Sequence, residues 1–329
     1  MAGFILRRLA ISIPLVALAS FLVFVLVAVS GDPLGELRSN PSITEAQIEA
    51  RRHELGLDRP MMTRYVDWAT SAVTGDFGRS SEDNEPVVDK LTRAMWVTLR
   101  LLGGALSLAV LLGVAIGVAA ALRQYSKFDY ASTFLAFIFF SMPVFWLAAV
   151  LKDVAIRLNG WLEKSAGIRP FFTIGEKDPT VTGGFIATLA DRFGHMILPA
   201  LTLILIQVAG WSRYQRATML DVLSADYVRT ARAKGLPPGK VILRHTLRNA
   251  LIPIVTLVAI DFGLLMSGAV ITETVFAWNG MGRLLVRGLL DRDSNVIQAW
   301  LLVSATMVIA FNLLADILYG YLDPRIRRG

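Results

Sequence analysis

Cysteine is missing altogether, so no disulfide, thiolate zinc site, iron-sulfur cluster or thiol nucleophile can be built anywhere in the 329 residues. Histidine is nearly as scarce. His53, His195 and His245 lie far apart, which leaves no local histidine metal motif. Charge is thin as well, at 18% of residues against about 25% in an average soluble domain. What fills the space is apolar: 54% of residues are hydrophobic and the mean hydropathy is +0.55. Disorder and a small secreted scaffold are excluded, because the apolar residues gather into runs of 20 or more, the pattern of membrane-spanning helices.

Runs long enough to cross about 30 Å of hydrocarbon at about 1.5 Å per residue occur at Leu9 to Ser30, Leu101 to Leu122 and Tyr130 to Leu151, all without charge. Three more follow at Phe193 to Ser212, Asn249 to Thr272 with Asp261 inside it, and Val296 to Ala315 with Asp316 at its edge. No alternating ten-residue pattern of a barrel is visible, and a spanning backbone must satisfy its own hydrogen bonds, so six helices are expected. Arg7 and Arg8 before the first run and the small residues of Ala28-Val29-Ser30 at its end suggest a cleavable signal. The run exceeds the usual signal core and five more follow, which favours an uncleaved anchor.

With the amino terminus inside, six crossings return the carboxyl terminus inside. The inner segments, 1 to 8, 123 to 129, 213 to 249 and 319 to 329, then hold 15 lysines and arginines in 63 residues, against 17 in 132 outer residues. The basic balance is a topology signal and requires no nucleic acid. The domains expected are an anchor helix at 1–30, an extracytoplasmic helical subdomain at 31–97, a membrane core at 98–318 and a cytoplasmic tail at 319–329. In the subdomain, Thr44 and Gln47 form a capping-box pattern, Gly56 a helix stop, and Met61 to Thr74 a second helix with an apolar face at Tyr65, Trp68, Ala69 and Ala72. Glu273 to Leu290 fits either a turn with a short interfacial helix over the pathway mouth or a plain connecting loop.

The long inner loop reads as two short helices, Asp221 to Gly235 and Val241 to Asn249, broken at Pro237 and Pro238. Small Ala225, Ala231 and Ala233 with cationic Arg229, Arg232 and Lys234 suit insertion into a partner's groove; a basic loop that only sets topology is the alternative. Asp261 is the exception inside the lipid. It either lines a pathway, with Gln207 as a weaker candidate, or is paired with a neighbouring helix or simply protonated. Asn312 and Asp316 are weaker candidates too, Asp316 because it sits where the last helix leaves the membrane. Gly113 and Gly117 form a small-xxx-small pair that packs helices, and Pro143 and Pro199 are candidate bends. A phosphate loop fails at Gly235-Leu-Pro-Pro-Gly239-Lys240: the spacing is one residue short, Val241 replaces Ser or Thr, and two prolines remove N–H donors.

Tyr227-Val-Arg-Thr-Ala-Arg-Ala-Lys-Gly235 resembles the EAA loop of the membrane subunits of binding-protein-dependent ABC importers, with Arg229-Thr230-Ala231 in place of Glu-Ala-Ala and Leu247-Arg248 in place of Leu-Pro. Those departures are similar to the first (B-type) permease of the peptide/nickel branch, as are Arg244 to Pro253, Leu55 to Pro60, Gly75-Asp-Phe-Gly78, Glu273 to Trp278 and Gly280 to Leu284. The resemblance implies an all-α, six-helix type-1 importer fold with an EAA-type loop at 221–253, in the cytoplasmic (inner) membrane. It implies a permease for di- or oligopeptides, with a nickel chelate or glutathione as alternatives, that catalyses no covalent chemistry and holds no cofactor or metal. ATP and magnesium belong to two partner ATPases; a second permease and an extracytoplasmic solute-binding protein complete the assembly. Asp226, Tyr227, Arg229, Thr230, Ala231 and Gly235 carry ATPase coupling in this reading, Gly235 through the turn and Ala231 through close approach. The rival from another class is an ion-coupled carrier using Asp261.

Overall fold

The structure, a computed structural model, describes residues 2–30, 42–54, 56–178, 180–181 and 184–322. The tail from residue 323, residues 31–41 of the expected subdomain and Leu55 lie outside them. Among the described residues the chain is almost wholly helical, with one isolated bridge between Arg79 and Pro86. The helices are α1 (Ala2–Ser30), α2 (Glu45–Glu54), α3 (Met61–Val73), α4 (Val87–Leu122), α5 (Lys127–Ser141), α6 (Val144–Ala166), α7 (Phe185–Leu223) and α8 (Asp226–Ala233). After a short turn at Pro238–Lys240, a π-helical stretch, Val241–Leu247, runs into α9 (Arg248–Met266); α10 (Val270–Val275), α11 (Met281–Leu290) and α12 (Ser294–Leu322) complete the chain.

Five of these are long and apolar enough to cross a membrane, and a sixth crossing is counted if α5 and α6 form one broken span. The third expected span, Tyr130 to Leu151, is therefore not a single helix: α5 and α6 are bent 103° apart. Pro143 explains the break. It has no N–H to continue the ladder, and it forces Met142 out of helical geometry, to φ −77° and ψ 128°. Lys152, Asp153 and Arg157 then keep the second half of α6 polar. The fifth span also ends early. Gly268, at φ +113°, stops α9 before Thr272 and turns the chain into α10.

Helix punctuation appears where the residues put it. Gln47 Oε1 accepts from the Thr44 N–H at 2.9 Å, and Gly56 and Gly75 both take positive φ beyond α2 and α3. Tyr65, Trp68 and Phe24 cluster, and the hydroxyls of Tyr65 and Ser20 meet at 2.9 Å, so the apolar face of α3 packs on α1.

The most extensive helix contact is between α4 and α7. It is close because Gly117 has no side chain: a Cβ there would stand 2.5 Å from the Ser212 carbonyl oxygen and 2.7 Å from Gln215 Cβ, and one at Gly113 would press on Trp211. Between α9 and α12, Gly263 takes Phe311 in the same way, at 2.7 Å. Around these approaches sits a core of Leu101, Leu102, Leu106, Trp211 and Ile254. Gly117→Val is expected to force α4 from α7 and cost about 1–3 kcal/mol; a lowered unfolding temperature of the purified protein, with Gly103→Val as an unhindered control, checks this.

Candidate functional site

The loop between α7 and α9 is built as a clamp. Val228 and Ala231 on α8 are buried against Val241, with Val222 and Leu236 at the margins. Asp226, Tyr227, Arg229 and Thr230 are left on the exposed side of the same helix. The turn beyond α8 needs Gly235, whose φ of +74° an ordinary side chain resists, and the Gly235 N–H donates to the Arg232 carbonyl at 2.9 Å. Of the six loop residues singled out from the sequence, four share an exposed face, Gly235 makes the turn, and Ala231 points the other way. Its small size serves the chain's own contact with Val241 rather than a surface open to a partner.

Polar bonds fasten this clamp to the bundle. Asn249 Nδ2 donates to the Tyr227 hydroxyl at 3.1 Å and to the His245 carbonyl at 3.0 Å. Thr218 Oγ1 on α7 donates to the Ala250 carbonyl on α9 at 3.3 Å, beside a buried cluster of Met219, Ala250 and Ala121. The Arg216 guanidinium forks onto the buried Asp129 carboxylate at 2.6 and 2.8 Å, while Asp129 also accepts from the Tyr125 N–H. Little in the sequence points to this pair. Its one signal was that Asp129 is among only four acids in the basic segments at this end of the chain's spans.

Midway along the bundle, Trp211 Nε1 on α7 donates to Asp261 Oδ2 on α9 at 2.8 Å. Asp261 thus has the neighbouring-helix partner that was one of its two expected readings. Gln207 is half-buried on α7, Asn312 is exposed, and Asp316 pairs with Arg8 at 2.9 Å. Asp261→Asn, which keeps an oxygen for Trp211, is expected to leave uptake and its pH dependence within about twofold of the wild type. A lost pH dependence in vesicle uptake would instead give the carboxyl a pathway role.

At the opposite end from α8, where the sequence allows either a turn with a short interfacial helix or a plain connecting loop, lies a buried knot. Glu273 is fully buried on α10. Its Oε1 accepts from Thr98 Oγ1 at 2.6 Å, and its Oε2 accepts from the N–H groups of Gly282 at 2.7 Å and Arg283 at 3.2 Å. Thr98 Oγ1 accepts in turn from the Met281 N–H at 2.8 Å, so a hydroxyl from α4 and a carboxyl from α10 together satisfy the open N–H groups at the start of α11. Trp300 on α12 donates to the Met281 carbonyl at 2.8 Å. The Gly-Met-Gly sequence follows from this packing: a Cβ on Gly280 would overlap the Glu273 carboxyl at 2.5 Å, and one on Gly282 would strike the Val270 backbone.

Burial pushes the Glu273 carboxyl above its usual range, against the opposing pull of its hydrogen bonds. A raised carboxyl means the fold favours the protonated form, so this contribution is whole below the ordinary glutamate range and is lost as pH rises through the raised value. Glu273→Gln should flatten that part of the stability profile. Glu273→Ala strands three donors and should cost at least about 3 kcal/mol; thermal unfolding across pH tests both.

A multi-pass helical membrane protein with glycine-packed spans and a basic loop clamped between two of them is the class defined by this geometry. The comparisons refine it. Residues 113–328 match the family described as binding-protein-dependent transport system inner membrane component, and residues 1–102 match that of its N-terminal region. The chain belongs to this family of inner-membrane transport components. It is 44% identical over 328 residues to the oligopeptide transport system permease protein OppB of Mycobacterium tuberculosis, with 99% of each chain covered. It is 38% identical to the oligopeptide permease AppB of Bacillus subtilis over 328 residues and to the dipeptide permease DppB of Escherichia coli over 340, again with 99% of each chain covered. A chain of the MetNI methionine ABC transporter in an inward-facing conformation shares the fold, with a TM-score of 0.54 at 16% identity, covering 71% of this chain and 96% of that one.

Proposed function

We propose that this chain is a permease subunit of an ATP-driven importer of di- or oligopeptides, forming half of the pathway and receiving one ATPase at the α8 loop. Full-length similarity to permeases named for oligopeptide and dipeptide transport supports the substrate class. The observation that carries the mechanism is the seating of α8: Val228 and Ala231 are locked onto Val241, while Asp226, Tyr227, Arg229 and Thr230 face outward. A partner that grips the exposed side moves the π-helical stretch and the adjoining ends of α7 and α9 with it, as a rigid body.

In this reading the loop lies in the cytoplasm with both termini, following the basic bias of its segments, and the Glu273 knot faces the other side, where a solute-binding protein delivers substrate. The chain itself carries out no covalent chemistry. Two partner ATPases supply ATP hydrolysis with magnesium, and a second permease completes the pathway.

Co-purification from native membranes tests the proposal. The wild-type chain is expected to bring down two ATPases and a second permease. Arg229→Glu combined with Gly235→Pro, which reverses a charge on the exposed face and places a ring where φ is +74°, is expected to lose the ATPases. Recovery of the chain alone, with transport retained after reconstitution, would overturn the reading in favour of a self-sufficient carrier.

A further inference from the structure

Between α1, α3 and α12 runs an apolar groove of about 690 Å³ that the transport reading leaves unused. Ile13 and Ala17 form one wall, Leu302 and Ala310 the other, and Trp68 and Ala72 of α3 the head. The few polar groups in it ask for nothing: Ser12 donates to the Arg8 carbonyl, Ser20 to the Ala17 carbonyl, and Thr306 to the Leu302 carbonyl. A peptide or any other polar ligand would lose its hydration there without recovering a hydrogen bond. The occupant has to be apolar, and it has to come from the bilayer, because two walls of the groove are helices of membrane-spanning length and composition.

The groove's length narrows the choice further. Along α12 it runs from Leu302 to Leu313, about 17 Å at about 1.5 Å per residue, close to half of a hydrocarbon layer about 30 Å thick. About one turn beyond Ser12 and Leu313, Arg8 pairs with Asp316 at 2.9 Å. At the other end Trp68 presents an amphipathic ring of the kind that favours the membrane interface, while Tyr65 turns its hydroxyl inward onto Ser20 at 2.9 Å. Beside them Arg64 lies over the Phe24 ring at 5.9 Å and makes no ion pair among the described residues. Apolar depth of one leaflet, the Trp68 ring at the mouth and the Arg64 guanidinium on the adjoining turn match the order of parts in a phospholipid.

We infer that this groove binds one glycerophospholipid, with an acyl chain laid between α1 and α12 and the phosphate held by Arg64. Bound lipid fills a gap that α1 cannot close by itself, since its contacts are chiefly with α12 and, more sparsely, α3. The site rests on the membrane-spanning character of α1 and α12 and is independent of the role given to α8.

Native mass spectrometry of the complete transporter, delipidated and then supplied with dioleoylphosphatidylglycerol, tests the site. The wild type is expected to retain one phospholipid per copy of this chain. Ala310→Trp, which fills the groove, and Arg64→Ala, which removes the phosphate partner without touching the packing between α1 and α12, should each lower retention about tenfold. Equal retention in a folded Ala310→Trp transporter would overturn the assignment. If that variant does not fold, unchanged retention in Arg64→Ala would do the same. Because the chain has no cysteine, Ala310→Cys also gives a single reactive position; efficient cross-linking from it to the second permease would show that a protein helix, and not a lipid, occupies the groove.

Discussion

Lipid tails are as apolar as leucine, so helices inside a bilayer gain little from hiding apolar surface against one another. They must be held by close contact and by the few polar groups they can afford. This chain uses both, at separate depths. Gly117 lets α4 reach the backbone of α7, and Gly263 lets α9 reach Phe311 of α12. A tryptophan–carboxyl bond, Trp211 to Asp261, joins α7 to α9 midway. The ends carry the heavier fastenings: Arg216 on Asp129 near α8, and Glu273 on Thr98 and the start of α11 at the far end.

In the proposed mechanism that arrangement lets the bundle move in blocks. The α8 clamp joins α7 and α9 through Val241, Thr218 and Asn249, and the opposite end is locked by the Glu273 knot to α4 and α12. In the proposed mechanism, a push on α8 reaches whole helices instead of dissipating in the loop. Such blocks are suited to alternating access, in which one end opens as the other closes.

Much of the fold was legible because lipid imposes a simple test on sequence: long runs without charge. The helix stops at Gly75 and Gly235 and the Thr44–Gln47 cap were legible too, since each acts through neighbours in the chain. The break at Pro143 was harder to foresee. Prolines are tolerated within spans, as Pro14 and Pro199 are here inside α1 and α7, and composition does not tell a tolerated proline from one that splits a helix. The Glu273 knot stayed hidden for another reason. Its partner Thr98 is 175 residues away, and nothing local distinguishes a buried glutamate from a loop glutamate. At α8 the sequence indicates a short cationic helix but not its rotation: only the fold reveals that Ala231 faces Val241 while Arg229 faces out.

In the proposed mechanism α8 moves as one body with the ends of α7 and α9. Spin labels at single cysteines introduced at Arg232 on α8 and Leu243 in the π-helical stretch give the direct measurement, by pulsed dipolar distances in the reconstituted transporter with and without bound ATP. The account predicts a separation unchanged to within about 2 Å, while the distance from Arg232 to the same position of the second permease changes by several ångströms. A separation between Arg232 and Leu243 that itself shifts by several ångströms would contradict it, and would make the loop a flexible tether.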